Sequence, residues 1–179
     1  GDGDAFTPVL STAPQRASWL AINLATAILA ASVIGLFQDT IEKVVALAVL
    51  MPIVASMGGI AGTQSLTVLI RAMAMGQIND RTEIWLVRRE ILVSLINGLL
   101  WAAVIAVIAS YWFSDIRLGM IIAFAIVINL ITAGIAGASL PLLLDRLDID
   151  PALAGGVVLT TITDVVGFFA FLGLAAYFY

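Results

Sequence analysis

Residues 151–179 read PALAGGVVLTTITDVVGFFAFLGLAAYFY, an apolar run in which Asp164 is the only charged side chain. As a helix this run can cross a bilayer, and a rise of about 1.5 Å per residue puts Asp164 about 20 Å from Pro151, close to the midplane. An uncompensated carboxylate at that depth costs about 3 kcal/mol on insertion scales. A cationic group or a water-filled space therefore has to meet it. The competing reading is an acid that hydrogen-bonds a neighbouring helix and only glues the packing.

The rest of the chain has the same character. It is 62% hydrophobic and 11% charged over 179 residues, outside the usual range of soluble globular domains. Its charges gather in short clusters, around Asp39, Glu42 and Lys43, then Arg71 with residues 80–90, then Asp115 and Arg117, then residues 145–150. Between them lie five apolar blocks, residues 19–37, 44–70, 91–113, 118–144 and 151–179, each long enough for a spanning helix. The expected fold is an all-α integral membrane domain, with residues 1–15 a polar lead-in and residues 16–179 a bundle of five transmembrane helices. The short alternating strands of a barrel are absent from the sequence.

Composition also excludes chemistries. There is no cysteine and no histidine, so disulfides, thiolate catalysis and imidazole ligation of a metal are ruled out. Side-chain metal ligands must be oxygens, which suit magnesium, calcium or manganese rather than zinc or copper. No basic stripe points to nucleic acid, and no cofactor motif is visible. No Gly-rich phosphate loop with a lysine occurs and the loops are short, so an enzyme is not expected. The chain opens on glycine without a signal-like segment, which reads as a piece of a longer or processed protein.

Lysine and arginine set the expected orientation. With the amino terminus in the cytoplasm, Arg16, Arg71, Arg81, Arg88, Arg89 and Arg146 lie inside, whereas Lys43 and Arg117 lie outside with Tyr179. A multi-pass protein of the cell, or inner, membrane is implied. Residues 71–90 become the main cytoplasmic connection, with 81–90 an amphipathic start to the third helix. A weak repeat is also legible: Ile22-Asn23 matches Ile96-Asn97, and Gly59-Ile60-Ala61-Gly62 matches Gly134-Ile135-Ala136-Gly137. It suggests two parallel helical hairpins with a fifth helix added.

Two segments carry the candidate chemistry. In the fifth span Gly156, Thr160, Asp164 and Gly167 share one helical face, presenting backbone, hydroxyl, carboxylate and backbone in turn. In the second, Pro52 is followed by Gly58-Gly59-Ile60-Ala61-Gly62-Thr63-Gln64-Ser65. Gly58 and Gly62 form a small-xxx-small pair for close helix approach, while Thr63, Gln64, Ser65 and Thr67 suit a wet face. Asn23, Asn97 and Asn129 are expected to make interhelical hydrogen bonds and are left out of the site.

Residues 51–65, MPIVASMGGIAGTQS, together with Asp150-Pro151-Ala152 and residues 160–169, TTITDVVGFF, resemble the transmembrane domain of the MgtE family of magnesium channels. The resemblance covers essentially all five spans. It implies a homodimer with a pore on the two-fold axis between the second and fifth helices. Asp164 and its symmetry mate would bind Mg2+, with the Thr160 backbone adding a contact. Gly156, Thr163, Gly167, Gly58, Gly59, Gly62, Thr63 and Gln64 would line the pore. Mg2+ is then cargo, not cofactor, and cytosolic CBS-type regulatory domains are implied outside this chain. Two positions depart from the family pattern: Ile60 stands where asparagine is common, and Val157 after Gly156 stands where proline is common. A magnesium exchanger coupled to H+ or Na+, and a non-transporting dimeric membrane anchor, remain the alternative functions.

Overall fold

A computed structural model of the chain describes residues 5–179. The five apolar blocks are all helices, and no strand occurs among the described residues. The spans are α1 (Val9–Leu36), α3 (Ala46–Ala74), α4 (Asp80–Trp112), α5 (Ile116–Arg146) and α6 (Pro151–Phe178), with a short α2 (Gln38–Lys43) between the first two.

Local chemistry sets the boundaries. Asn79 caps α4 by accepting hydrogen bonds from the Arg81 and Thr82 amides, and Thr82 Oγ1 accepts from the Asn79 amide at 2.8 Å. Asp115 caps α5 through the Arg117 and Leu118 amides. Asp150 caps α6 through the Ala152 amide, with Pro151 in the first helical position, where its missing N–H costs nothing. Gly76, with φ of 68°, turns the chain just past the end of α3.

Two boundaries differ from the sequence reading. α1 begins at Val9 rather than Arg16, because Pro14 removes one backbone bond near the free end without stopping the helix. The Gly1–Asp4 part of the polar lead-in lies outside the described residues. The connection between α3 and α4 is only residues 75–79, since the residues 80–90 cluster is already the first three turns of α4. Glu90, expected near a cytoplasmic connection, is buried there and accepts a 2.9 Å hydrogen bond from Ser65 Oγ of α3.

α5 is the hub. It packs against α3, α4 and α6, and its Leu118, Ile122, Ile126 and Leu130 meet Leu47, Leu50 and Val54 of α3 and Phe168, Phe171 and Leu172 of α6. Inside a bilayer such packing gains little from expelling water, so association depends on close van der Waals fit and small residues. Gly137 shows this: a Cβ there would lie 2.5 Å from the Gly62 carbonyl oxygen of α3. The two glycine-rich segments suspected of repeating therefore meet at a helix crossing. The two supposed hairpins are not packed alike, however, because α1 lies against α6 whereas α4 lies against α5.

One end of the bundle is held by polar contacts. Lys43 Nζ donates to the Tyr179 carbonyl at 2.6 Å and Arg117 donates to the Phe178 carbonyl at 2.9 Å, so two cations serve the carbonyl-rich end of α6. The Tyr179 hydroxyl donates to Asp115, and the Arg117 guanidinium lies 4.9 Å from the Tyr179 ring centre. The Tyr179 hydroxyl holds the Asp115 carboxyl below its ordinary value, aided by the Leu118 and Arg117 amides and opposed by partial burial. A lowered folded value means the contribution is full above the unfolded value of about 3.9 and is lost as pH falls through the folded one. We expect Tyr179→Phe to cost about 1 kcal/mol at neutral pH. It should also flatten the loss of stability in acid, followed by thermal unfolding between pH 6 and 3. Equal acid slopes in both proteins would show that this hydrogen bond does not set the Asp115 titration.

Candidate functional site

Asp164 is the fourteenth of the 28 residues of α6, so the carboxylate sits near the middle of a spanning helix. It is half-buried in a groove between α3 and α6 that opens on the outside of the bundle. Ala55, Ser56, Gly59, Ile60 and Thr63 of α3 form one wall, and Thr160 and Asp164 of α6 the other. The groove has a volume of about 400 Å³. The groove has room for several waters beside the carboxylate.

The electrostatics are unbalanced. Among the described residues both ion pairs, Arg89–Glu90 and Arg146–Glu83, lie elsewhere, and Asp164 makes no hydrogen bond with any of them. The Thr160 hydroxyl is likewise without a partner, whereas Thr63 bonds the Gly59 carbonyl of its own helix at 2.8 Å. The Thr160 carbonyl already accepts from the Thr163 hydroxyl at 3.1 Å. The groove therefore offers a bare carboxylate and a free hydroxyl at bilayer depth. No three acidic side chains come together among the described residues.

Of the residues expected to line the site, Gly59, Thr63, Thr160 and Asp164 come together here. Gly156 lies on the same face of α6, exposed and with open space where a Cβ would stand. Four others point into the bundle. Thr163 is fully buried, and a Cβ on Gly62 would strike Leu159 at 2.8 Å. Cβ atoms on Gly58 and Gly167 would lie 2.2 and 2.6 Å from Asn129 Nδ2. The physical reason is rotation within each helix: α3 turns its 56, 59 and 63 stripe to the groove and its 58, 62 and 65 stripe inward. Gln64 lines a separate polar trench between α3 and α4 with Ser65, Glu90, Ser94 and Asn97.

Asn129 of α5 is the residue whose importance the sequence understated. It is fully buried between Gly58 of α3 and Gly167 of α6, and its Nδ2 donates to the Val54 carbonyl at 3.1 Å. The expected interhelical bond is thus made by Asn129, while Asn97 bonds Val93 of its own helix. Asn129 spaces the two groove walls one turn from Asp164. Its signal in the sequence was indirect: an amide in α5 needs two small residues opposite it, and Gly58 and Gly167 are those residues. Ser56 was also missed, although it falls on the Gly59–Thr63 stripe.

A family described as "MgtE: Divalent cation transporter" matches residues 51–174, the stretch that contains every wall of the groove. The chain belongs to the MgtE family. Similar proteins include the "Magnesium transporter MgtE" of Bacillus subtilis, 34% identical over 172 residues, which is 96% of this chain and 38% of that protein. The proteins of the same name from Enterococcus faecalis and Thermus thermophilus are 31% and 33% identical, over 94% and 89% of this chain. This chain spans well under half the length of each relative, 35% to 38%. Its multi-pass helical architecture fits a transporter family.

The Asn129 spacer can be tested by a double-mutant cycle. Gly58→Ala should destabilise the protein by about 1–3 kcal/mol through overpacking against the amide. Combining it with Asn129→Ala should recover part of that loss, read as non-additive shifts in thermal unfolding. Strictly additive shifts would mean that the two side chains do not share this space.

Proposed function

We propose that two copies of this chain form a pore for hydrated magnesium ions, with their Asp164 carboxylates facing each other across a two-fold axis in the cell membrane. The observation that carries the reading is the unpaired Asp164 carboxylate in a groove open to the side, at mid-span. A second copy packed over that groove would shield the acids from lipid and enclose an aqueous path. Gly59, Thr63, Gly156 and Thr160 would then line it. With the amino terminus cytoplasmic, the arginine-rich connections meet the positive-inside preference.

Magnesium supports this chemistry better than a tight resident metal would. Mg2+ gives up water reluctantly and prefers octahedral oxygens, so a pore that passes it works best through its hydration shell. Two carboxylates balance the double charge, and the Thr160 hydroxyl orients shell water. Outer-sphere contact keeps the binding shallow enough for release, which conduction requires. The names of the relatives as magnesium transporters support this cargo over calcium or manganese. The cytosolic CBS-type domains implied by the resemblance would supply regulation from outside this chain.

Asp164→Asn keeps the shape and removes two negative charges per dimer. We expect magnesium flux into liposomes to fall at least tenfold and magnesium-dependent thermal stabilisation to vanish, while the fold stays at least as stable. Selective magnesium flux in the Asn variant would sink the proposal. Unitary currents would separate a channel from a coupled exchanger.

Because the chain has no native cysteine, single cysteines report the two-fold contact directly. Cysteines at Gly156 or Thr160 should crosslink two copies in the membrane, and one at the buried Thr163 should not. The opposite pattern would place another face of α6 on the axis.

A further inference from the structure

α1 is the least packed of the spans. It touches the bundle through α6, and Ala30 and Val33 in its second half are buried while no residue of its first half is. Towards Val9 the two helices diverge and leave an apolar cleft of about 390 Å³. Trp19, Leu20 and Asn23 of α1 face Leu153 and Val157 of α6 across it, with Gln15 and Arg16 at the rim.

We propose that this cleft binds one anionic phospholipid, an acyl chain filling the wedge and the headgroup phosphate held by Arg16. Three features select that occupant. An empty apolar wedge open to the bilayer forfeits dispersion contacts on every wall, and a lipid tail restores them. Arg16 makes no ion pair or hydrogen bond among the described residues, so its fixed fork of donors is free for a phosphate. Trp19 lies one turn deeper than Arg16, the arrangement of an aromatic anchor at headgroup level. The nearest acid at the start of α6, Asp150, is turned onto its own helix through the Ala152 amide and leaves the rim to the cation. Basic rims between spanning helices are a recurrent way of holding anionic headgroups. Leu153 and Val157 belong to the helix that carries Asp164 and, at about 3.6 residues per turn, fall on the same stripe as Thr160 and Asp164, so the lipid would brace that helix next to the Pro151 end of the groove.

Trp19 is its own reporter. In the full chain with Trp85, Trp101 and Trp112 changed to Phe, we would measure quenching of Trp19 fluorescence by brominated phosphatidylglycerol and by brominated phosphatidylcholine. Each would be diluted in vesicles of unbrominated phosphatidylcholine. Phosphatidylcholine carries the same phosphate but no net charge, so the net negative charge of phosphatidylglycerol beside Arg16, at about 1 kcal/mol, predicts a roughly fivefold preference for the anionic lipid. Arg16→Gln should abolish that preference, and Arg16→Lys should keep part of it. Leu153→Phe in the same single-tryptophan chain should reduce quenching of Trp19 by filling part of the wedge. Inorganic phosphate should not compete, since the tail supplies much of the binding. Equal quenching by both lipids, a preference unchanged in Arg16→Gln, or a Trp19 shielded from both lipids by another protein segment would each overturn the proposal. None of these readouts depends on ion flux, so the result stands apart from the pore reading.

Discussion

A polar group inside a bilayer has no water to fall back on, and the arrangement of this bundle follows from that constraint. Glu90 is met by Ser65 of α3 and by Arg89. Asn129 reaches the Val54 carbonyl, and the threonines at 63, 67, 132 and 161 return their hydroxyls to carbonyls of their own helices. Asp164 is treated differently: its carboxylate is left bare at mid-span, at the edge of an open groove. A fold that satisfies its other deep acid, Glu90, with a hydroxyl and a guanidinium had the means to do the same here. Asn129 Oδ1 is likewise buried without a partner, so Asp164 is set apart by its charge and its opening to the groove, and the proposed site is built on it.

The groove depends on packing that is invisible from the groove itself. α3 and α6 each present a small or hydroxylated stripe outward and a second stripe inward, and the inward stripes are filled by α5. Asn129 between Gly58 and Gly167, Leu159 against Gly62, and Gly137 against the Gly62 carbonyl together set how far apart the two walls stand. A larger residue at any of these positions would shift a wall by a fraction of an ångström or more. The distance from Asp164 to the hydroxyls opposite would shift with it. Glycines that resemble lining residues in the sequence thus act one layer behind the lining.

Much of this was legible in the sequence because bilayer thickness fixes the length of an apolar block. The five spans, the acid isolated in the last of them and the family motif are local or one-dimensional signals. What was not legible was rotation. Gly58, Gly62, Thr163 and Gly167 sit beside residues that do face the groove, and only the position of α5 decides which side of each helix is buried. Glu90 shows the same limit: a charged residue among arginines reads as surface until a serine on another helix is found beside it. The start of α1 was misplaced because a proline at residue 14 and a polar flavour mask a helix that has few tertiary contacts to reveal it.

The central claim is that two Asp164 carboxylates share one hydrated divalent ion. Mn2+ can stand in for Mg2+ as a paramagnetic oxygen-loving ion, and its electron–nuclear couplings report what surrounds it. The decisive measurement is pulsed electron paramagnetic resonance of Mn2+ titrated into the chain in nanodiscs, with aspartate carboxyl carbons labelled with 13C. The account predicts one bound ion per two chains, a full set of water protons, carboxyl couplings too weak for direct ligation, and loss of the signal in Asp164→Asn. One ion per chain, directly bonded carboxylates, or a site that survives Asp164→Asn would contradict it.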